Sequence, residues 1–151
     1  MRGPGVSAYP REAGNVSAMA TIDDVARLAA LLPEVSDGED KFGHRAWSVA
    51  GNGFAWIRQF SKADIKRYGS ETPPDGPILA LRVADLAEKE AILASGTPGF
   101  FTIAHFNGYK AYLVQLNAVA EPALREALED AWLSQAPAAL AEQYAEQGER
   151  H

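Results

Sequence analysis

The stretch TIAHFNGYKAYLVQL, residues 102–116, decides how the predicted strands are arranged. Its Asn-Gly dipeptide lies between two runs rich in aromatic and apolar residues, which is a strong short-range pattern for a β-hairpin. With a two-residue turn, Phe106 would face Tyr109 across the hairpin. His105 would then face Lys110. The pattern therefore predicts an imidazole and an ammonium group side by side at the turn end of an apolar stripe.

Two interpretations of the His105–Lys110 pair stay open. Two potential cations side by side repel each other without a partner, so the pair could contact a small anion or a phosphate group. Alternatively, His105 is a neutral residue at a hairpin tip, and Lys110 protects the strand from pairing at its edge. Isolated polar residues are common near turns, which favours the second interpretation.

Further elements follow outward from this hairpin. Thr21 and Asp24 resemble a capping box and predict that the first helix begins there. The stretch KFGHRAWSVAGNGFAWIRQF, residues 41–60, predicts a second hairpin, in which Phe54 and Trp56 follow the Gly-Asn-Gly turn at a period of two. Residues 61–68 predict one short helical turn, and residues 69–76 an exposed loop.

The remaining segments complete the predicted fold. PILALRVAD, residues 77–85, is nearly continuously apolar and predicts a central strand. Asp85 begins a second helix, Pro122 lies in the first turn of the last helix, and Pro137 breaks that helix. We therefore expect an α+β domain in which an antiparallel sheet of about five strands carries the N- and C-terminal helices on one face.

Composition narrows the class of protein. Pro, Gly and Ser are frequent in residues 1–19, which predicts a disordered tail before a single domain at residues 20–147. The chain has no cysteine, which excludes disulfides and thiolate metal sites and suits a cytoplasmic location. No apolar run is long enough to cross a membrane, so we expect no membrane partner.

The net charge of −6 is unevenly distributed. Residues 1–40 carry −4 and residues 111–151 carry −5, whereas residues 41–110 carry +3. A nucleic-acid-binding protein normally concentrates positive charge, because neutralising phosphates releases counterions. The middle third is therefore the part of this sequence that could attract phosphate.

That middle third holds a basic and aromatic concentration. Its cationic candidates are Lys41, His44, Arg45, Arg58, Lys62, Lys66 and Arg67. Its aromatic candidates are Trp47 and Trp56, to which Phe106 and Tyr109 of the later hairpin are added. The cations and aromatics could meet the phosphates and bases of a nucleic acid. They could equally form a solvated rim where long basic side chains cover apolar surface.

Other chemistry has little support in the sequence. The acids between Asp37 and Asp40 lack the spacing of an EF-hand, and the three histidines lack metal-ligand spacing. The sequence contains no motif of a serine hydrolase, a P-loop or a zinc protease. We therefore expect no cofactor, no metal site and no catalytic residue.

Several segments together resemble the MmcQ/YjbR family of small bacterial proteins. The matching stretches are LPEVSDG (residues 32–38), FGHRAWSVAGNGFAW (42–56), LALRVADLAEKEAILAS (79–95) and HFNGYKAYLVQL (105–116). Within them, Phe42, Gly43, Ala46, Trp47, Val49, Gly51, Phe54 and Ala55 match the first-hairpin pattern, and His105 and Phe106 match a later His-Trp. The resemblance covers residues 20–136.

This resemblance implies an α+β fold similar to YjbR and, more remotely, to the frataxin homologue CyaY. The family is labelled as DNA-binding from its double-wing architecture. This chain departs from the family beyond His-Trp, where Gly108, Tyr109 and Ala111 leave Lys110 as the single basic residue. A family loop longer than two residues would also change the predicted pairing of His105 with Lys110.

We therefore expect a non-enzymatic binding module that binds DNA through the basic and aromatic hairpin together with His105 and Lys110. One alternative is a protein–protein adaptor, with another protein as its partner, that uses exposed aromatic residues and the acidic C-terminal helix. A second alternative is a frataxin-like metal-binding protein that uses the acids of residues 37–40.

Overall fold

The computed structural model describes residues 20–58 and 76–149. The predicted tail at residues 1–19, the predicted helical turn at residues 61–68 and most of the predicted loop at residues 69–76 lie outside the described residues. Three of the candidate cations, Lys62, Lys66 and Arg67, lie outside them as well.

The described residues form four α-helices, six strands and a short 3₁₀ turn. In chain order they are α1 (Ile22–Ala29), β1 (Val35–Glu39), β2 (Arg45–Val49), β3 (Asn52–Arg58), β4 (Ile78–Arg82), α2 (Leu86–Ala94), β5 (Phe100–Phe101), the 3₁₀ turn (Ala104–Phe106), β6 (Ala111–Gln115), α3 (Glu121–Gln135) and α4 (Ala138–Glu149).

Within the described part of the chain, the strands form one antiparallel sheet in the order β1-β2-β3-β4-β6-β5. The predicted α+β class is confirmed, with one strand more than the five expected. The additional strand is β1, whose sequence VSDGE is polar and exposed along most of its length. It pairs with β2 from Val35 opposite Val49 to Glu39 opposite Arg45.

The helices form where short-range signals place them. Thr21 and Asp24 make the predicted capping box at the start of α1, because each side chain accepts a hydrogen bond from the backbone N–H of the other residue. Asp85 caps α2 by accepting a hydrogen bond from Glu88 N–H at 2.8 Å. Pro137 separates α3 from α4 as predicted, because its ring prevents the helix from continuing.

The main core lies between the sheet and the helices. Buried residues of α1 and α3 pack against Trp47, Leu79, Leu81 and other residues of the sheet. Trp132 of α3 is fully buried, and its indole N–H donates a hydrogen bond to the carbonyl of Pro33 at 3.0 Å. Burial of each large apolar side chain of this kind contributes about 1.5–3 kcal/mol.

A smaller apolar cluster covers the opposite face of the sheet. Its buried members are Ile78, Ala80, Phe106, Ala111 and Leu113. Apart from Phe106, which lies in the 3₁₀ turn, these residues alternate along β4 and β6 with the residues of the main core, as expected for strands that are buried on both faces. The near-continuous apolar sequence of β4 correctly predicted this central position.

The two-residue hairpin predicted for residues 102–116 does not form. The partner of β6 is β5, with Phe100 opposite Val114 and Phe101 opposite Leu113. Residues 102–110 form a loop, so the predicted pairing of His105 with Lys110 is wrong.

The Asn-Gly dipeptide makes a different turn. Asn107 is extended, with φ −60° and ψ 129°, and Gly108 has φ +76°, as in a type II turn. The turn is closed by the hydrogen bond from Tyr109 N–H to the Phe106 carbonyl at 3.0 Å. Phe106 packs on the small apolar cluster, and burial of its ring there competes with the local hairpin preference of the sequence.

A β-bulge changes the predicted alternation in β3. Trp47 pairs with Ala55 and Ser48 pairs with Gly53, so Phe54 is an extra residue in β3. Phe54 therefore packs in the main core, whereas Trp56 packs against the small cluster on the other face. The period of two that was predicted from Phe54 to Trp56 is wrong at this point.

Candidate functional site

A cleft of about 510 Å³ lies on the face of the sheet opposite α1 and α3. Strands β2, β3 and β4 supply its floor, and the loops that precede β2 and β6 supply its walls. Its lining includes Lys41, Phe42, His44, Trp56, Arg58, Arg82 and Tyr109. Its volume lies within the range of about 300–1,000 Å³ that is usual for small-ligand sites.

Arg82 makes the most distinctive contacts in the cleft. Its guanidinium carbon lies 5.1 Å from the ring centroid of Trp56 and 5.4 Å from that of Tyr109. These distances are typical of cation–π contacts. Arg82 forms no ion pair with any carboxylate among residues 20–58 and 76–149. Its positive charge therefore lies against two aromatic rings and is not neutralised by an acid in this part of the chain.

Arg82 is not among the cations that the sequence predicts for a binding site. It ends β4, where Ala80 precedes it by two residues and faces Trp56 across the β3–β4 pair. Alternation therefore places Arg82 on the face that carries Trp56. Arg82 could have been identified from the sequence as the charged residue at the end of an otherwise apolar central strand.

Arg58 and Lys41 extend the positive charge along the cleft. The guanidinium carbon of Arg58 lies 5.2 Å from the ring centroid of Phe106, whose ring meets Tyr109 edge-on at 5.3 Å. Lys41 Nζ lies 5.3 Å from the ring centroid of Phe42, which is 72% exposed. Both predicted cations, Lys41 and Arg58, therefore line the same cleft as Arg82.

Asp40 shapes the loop that carries Lys41 and His44. One carboxylate oxygen of Asp40 accepts hydrogen bonds from the backbone N–H groups of Phe42 at 2.9 Å and His44 at 3.0 Å. The other oxygen lies 3.5 Å from His44 Nδ1. Burial acts to raise the pKa of Asp40, but the hydrogen bonds from His44 and Phe42 outweigh burial and lower it. The carboxylate therefore orders the loop in its charged form.

Arg45 lies away from the cleft. Side chains alternate along β2, so Arg45 points to the helix side of the sheet while Ala46 lines the cleft. Its guanidinium makes two hydrogen bonds to Asp37, at 3.1 and 2.8 Å, and lies 5.3 Å from the ring centroid of Trp47. The hydrogen bonds from Arg45 lower the pKa of Asp37. Trp47 itself is 1% exposed and belongs to the main core.

His105 and Lys110 also lie outside the cleft lining. Both are exposed in the loop between β5 and β6. The backbone carbonyl of Lys110 accepts a hydrogen bond from Val83 N–H at 3.0 Å. Phe106 and Tyr109 are the residues of this loop that lie near the predicted cations, with Phe106 next to Arg58 and Tyr109 in the lining of the cleft.

Lys89 of α2 holds that aromatic pair in place. Its Nζ donates hydrogen bonds to the backbone carbonyls of Phe106 at 2.6 Å and Tyr109 at 2.9 Å. Lys89 is 7% exposed, and burial lowers the pKa of its amine. A lysine between two glutamates on a helix is typical of an exposed position, so its sequence gave no signal for this role.

The described residues offer no metal centre. In residues 20–58 and 76–149, no three His, Cys, Asp or Glu side chains lie together as candidate metal ligands. Asp37 is engaged by Arg45, and Asp40 by the backbone of its own loop. Separately, none of the helices in the described part of the chain is long and apolar enough to span a membrane.

Comparison with known proteins places the chain among bacterial relatives. It is 39% identical over 129 residues to the uncharacterized protein Rv2570 of Mycobacterium tuberculosis, and the alignment covers 83% of this chain and 96% of the relative. The uncharacterized protein Mb2600 of Mycobacterium bovis matches with the same identity and coverage. The chain belongs to the family of these mycobacterial proteins. No protein-family profile and no solved structure matches it, and the resemblance to MmcQ/YjbR proteins stays a prediction.

Proposed function

We propose that the chain is a non-enzymatic DNA-binding module whose cleft holds an unpaired base and its neighbouring phosphates from a single strand. The observation that carries this proposal is the Arg82 guanidinium over both Trp56 and Tyr109, with no carboxylate partner among the described residues. The resemblance to MmcQ/YjbR proteins supports the same assignment. The proposal includes a cytoplasmic location, which the cysteine-free sequence favours.

The aromatic residues supply a surface for stacking. Trp56 and Tyr109 line the cleft with ring centroids 6.5 Å apart, and both are partly exposed. Stacking of a base on an aromatic side chain contributes about 1–3 kcal/mol and tolerates any base, because every base has a π-face. A duplex does not offer its base faces to a recessed ring, which favours a single strand as the ligand.

The cations supply contacts to phosphate. A guanidinium can bind two phosphate oxygens at once, and Arg82 is already oriented by the two rings. Lys41 and Arg58 add positive charge along the same cleft, where Asp40 is the acidic residue among the described residues of the lining. Local attraction therefore opposes the net charge of −6, which repels nucleic acid at longer range.

The test is fluorescence anisotropy of a labelled oligothymidylate titrated with the full-length protein over a series of salt concentrations. Two or three phosphate contacts predict a slope of about −1.4 to −2.1 for log K against log salt, since each contact on a single strand contributes about −0.7. A duplex of the same length should bind less tightly. Because Trp47 and Trp132 are buried, quenching of tryptophan fluorescence on binding should come from Trp56.

Arg82→Gln is the decisive variant, and Arg125→Gln is its matched control. Both remove one positive charge, but Arg125 lies exposed on α3, on the helix side of the sheet. We expect Arg82→Gln to weaken binding about tenfold or more and to reduce the salt slope by about 0.7, while Arg125→Gln leaves both nearly unchanged. Equal losses from the two variants, or an affinity that does not depend on salt, would contradict the proposal.

A further inference from the structure

A second cleft, of about 310 Å³, opens on the helix side of the sheet between α2, β5, β6 and α3. Its apolar surface comes from Phe100, Ile92, Ala123 and Ala127 among other residues. Its polar lining consists of Ser95, Thr97, Tyr112, Glu126 and Asp130. None of the residues proposed above to bind DNA belongs to this lining, so the two sites are separate.

Tyr112 belongs to the lining of this cleft. The residue is 2% exposed, and its ring lies 5.3 Å from that of Phe100, centroid to centroid. The hydroxyl forms no hydrogen bond with any residue in the described part of the chain. Burial raises the pKa of the phenol, and the nearby charges of Asp130 and Glu88 raise it further. The residue as a whole is nearly buried, but its hydroxyl is not among the buried side-chain polar atoms of the described residues that lack a partner, so it keeps contact with solvent and can pair with a ligand in the cleft.

The carboxylates around Tyr112 are not neutralised. Neither Glu126 nor Asp130 forms an ion pair with a described residue. Burial raises the pKa of Asp130, and the charges of Glu126, Glu88 and Glu129 add to the effect. The cleft is therefore a negatively charged recess with an apolar wall.

These features favour an organic cation over a metal ion. The acids do not form a group of three candidate metal ligands within residues 20–58 and 76–149. An alkylammonium ion needs no such convergence, because its N–H donors can reach separate acceptors while its methylene groups lie on apolar surface.

We propose that this second cleft binds a small organic ammonium ion. The ammonium group donates hydrogen bonds to the Asp130 carboxylate and the Tyr112 hydroxyl, and Glu126 adds long-range attraction. The carbon chain packs on Phe100 and Ile92. The site is independent of DNA binding and would remain if the first proposal failed.

Isothermal titration calorimetry of the full-length protein with putrescine, at low salt and neutral pH, tests this proposal. We expect saturable binding of putrescine and no binding of butanediol, its uncharged counterpart. Asp130→Asn should weaken binding of putrescine about tenfold or more, since it removes a charge-assisted hydrogen bond. Tyr112→Phe keeps the ring that packs on Phe100 and should weaken binding severalfold.

Glu146→Gln is the control variant, because Glu146 is an exposed carboxylate on α4 outside the lining of the cleft. It should bind putrescine like the unmodified protein, and a loss as large as that of Asp130→Asn would reduce the effect to net charge and overturn the site. Absence of binding at millimolar putrescine would overturn the proposal directly. Magnesium chloride that competes with putrescine in the unmodified protein but not in Asp130→Asn would assign the site to a metal ion instead.

Discussion

Replacement of Lys89 by methionine should destabilise the fold through the loop that carries Phe106 and Tyr109. In the native protein, the ammonium group donates hydrogen bonds to the backbone carbonyls of both residues, at 2.6 and 2.9 Å. Methionine has a similar length and fills the same buried space, but it cannot donate. Both carbonyls would then lose a buried partner.

The expected loss can be worked out from these two bonds. A hydrogen bond that involves a charged group contributes about 1.5–3 kcal/mol, so two such bonds contribute about 3–6 kcal/mol. Part of this is offset, because removal of the amine also removes the cost of burying a charge, the same cost that lowers the pKa of Lys89. We therefore expect Lys89→Met to reduce the free energy of unfolding by about 2–3 kcal/mol.

Urea denaturation followed by circular dichroism measures this change. With a slope of about 2 kcal/mol per molar urea, the midpoint should fall by about 1–1.5 M. Lys110→Met is the matched control, because it makes the same substitution at an exposed position of the loop that carries Phe106 and Tyr109. Its effect should stay within about 0.5 kcal/mol.

A midpoint for Lys89→Met that equals that of the unmodified protein would contradict this prediction, since the two bonds would then contribute nothing beyond the burial cost. Equal losses in Lys89→Met and Lys110→Met would refute it as well. In that case the effect would come from the loss of a positive charge in an acidic protein and not from the two carbonyl contacts.

Two further changes test other parts of the fold. Burial, assisted by neighbouring glutamates, raises the pKa of Asp130, so its ionisation costs stability as pH rises above the unfolded value of about 3.9. Asp130→Asn should therefore stabilise the protein at pH 7 and raise its melting temperature. The gain should be less than about 1 kcal/mol, because partial exposure screens the charge. A gain that is equally large near pH 4 would contradict this cause. Gly99 has φ +93°, and an added Cβ would lie 3.1 Å from the Gln115 carbonyl and from Val119. Gly99→Ala should therefore reduce the free energy of unfolding, measured by thermal denaturation, by about 1–3 kcal/mol. Gly38→Ala is the control, because an added Cβ there meets nothing within 4 Å. An equal loss in both variants would contradict a cause in the backbone and contacts at Gly99.

The helices were predictable because their signals are local. The capping box at Thr21, the N-cap at Asp85 and the breaks at proline each act within one turn, so a single sequence contains the whole interaction. The central strand β4 was predictable for a related reason, since burial on both faces requires an unbroken apolar run.

The sheet edges and the loop before β6 were not predictable in the same way. β1 is a strand only because β2 supplies hydrogen bonds along its backbone, and its polar sequence carries no period-two signal. The loop around Phe106 is determined by the apolar cluster on which that ring packs, which involves residues from other strands. The bulge at Phe54 likewise arises from pairing between strands and not from β3 alone.

The candidate site was predictable in part. A basic and aromatic concentration in the sequence led to Lys41, Arg58, Trp56 and Tyr109, which do line one cleft. Arg45 has the same composition signal but points to the other side of the sheet, because successive residues of a strand face opposite ways. Composition indicates which side chains are available, and only register decides which of them meet.

The outer strands of the sheet have a consequence for how molecules of this protein behave at high concentration. β5 is only two residues long, and β1 exposes Asp37 and Glu39 along with most of its length. A short or acidic border is a poor template for a strand from another copy, since it offers few free backbone groups or repels a similar strand. The sheet is thereby protected against growth into fibrous aggregates at both of its borders.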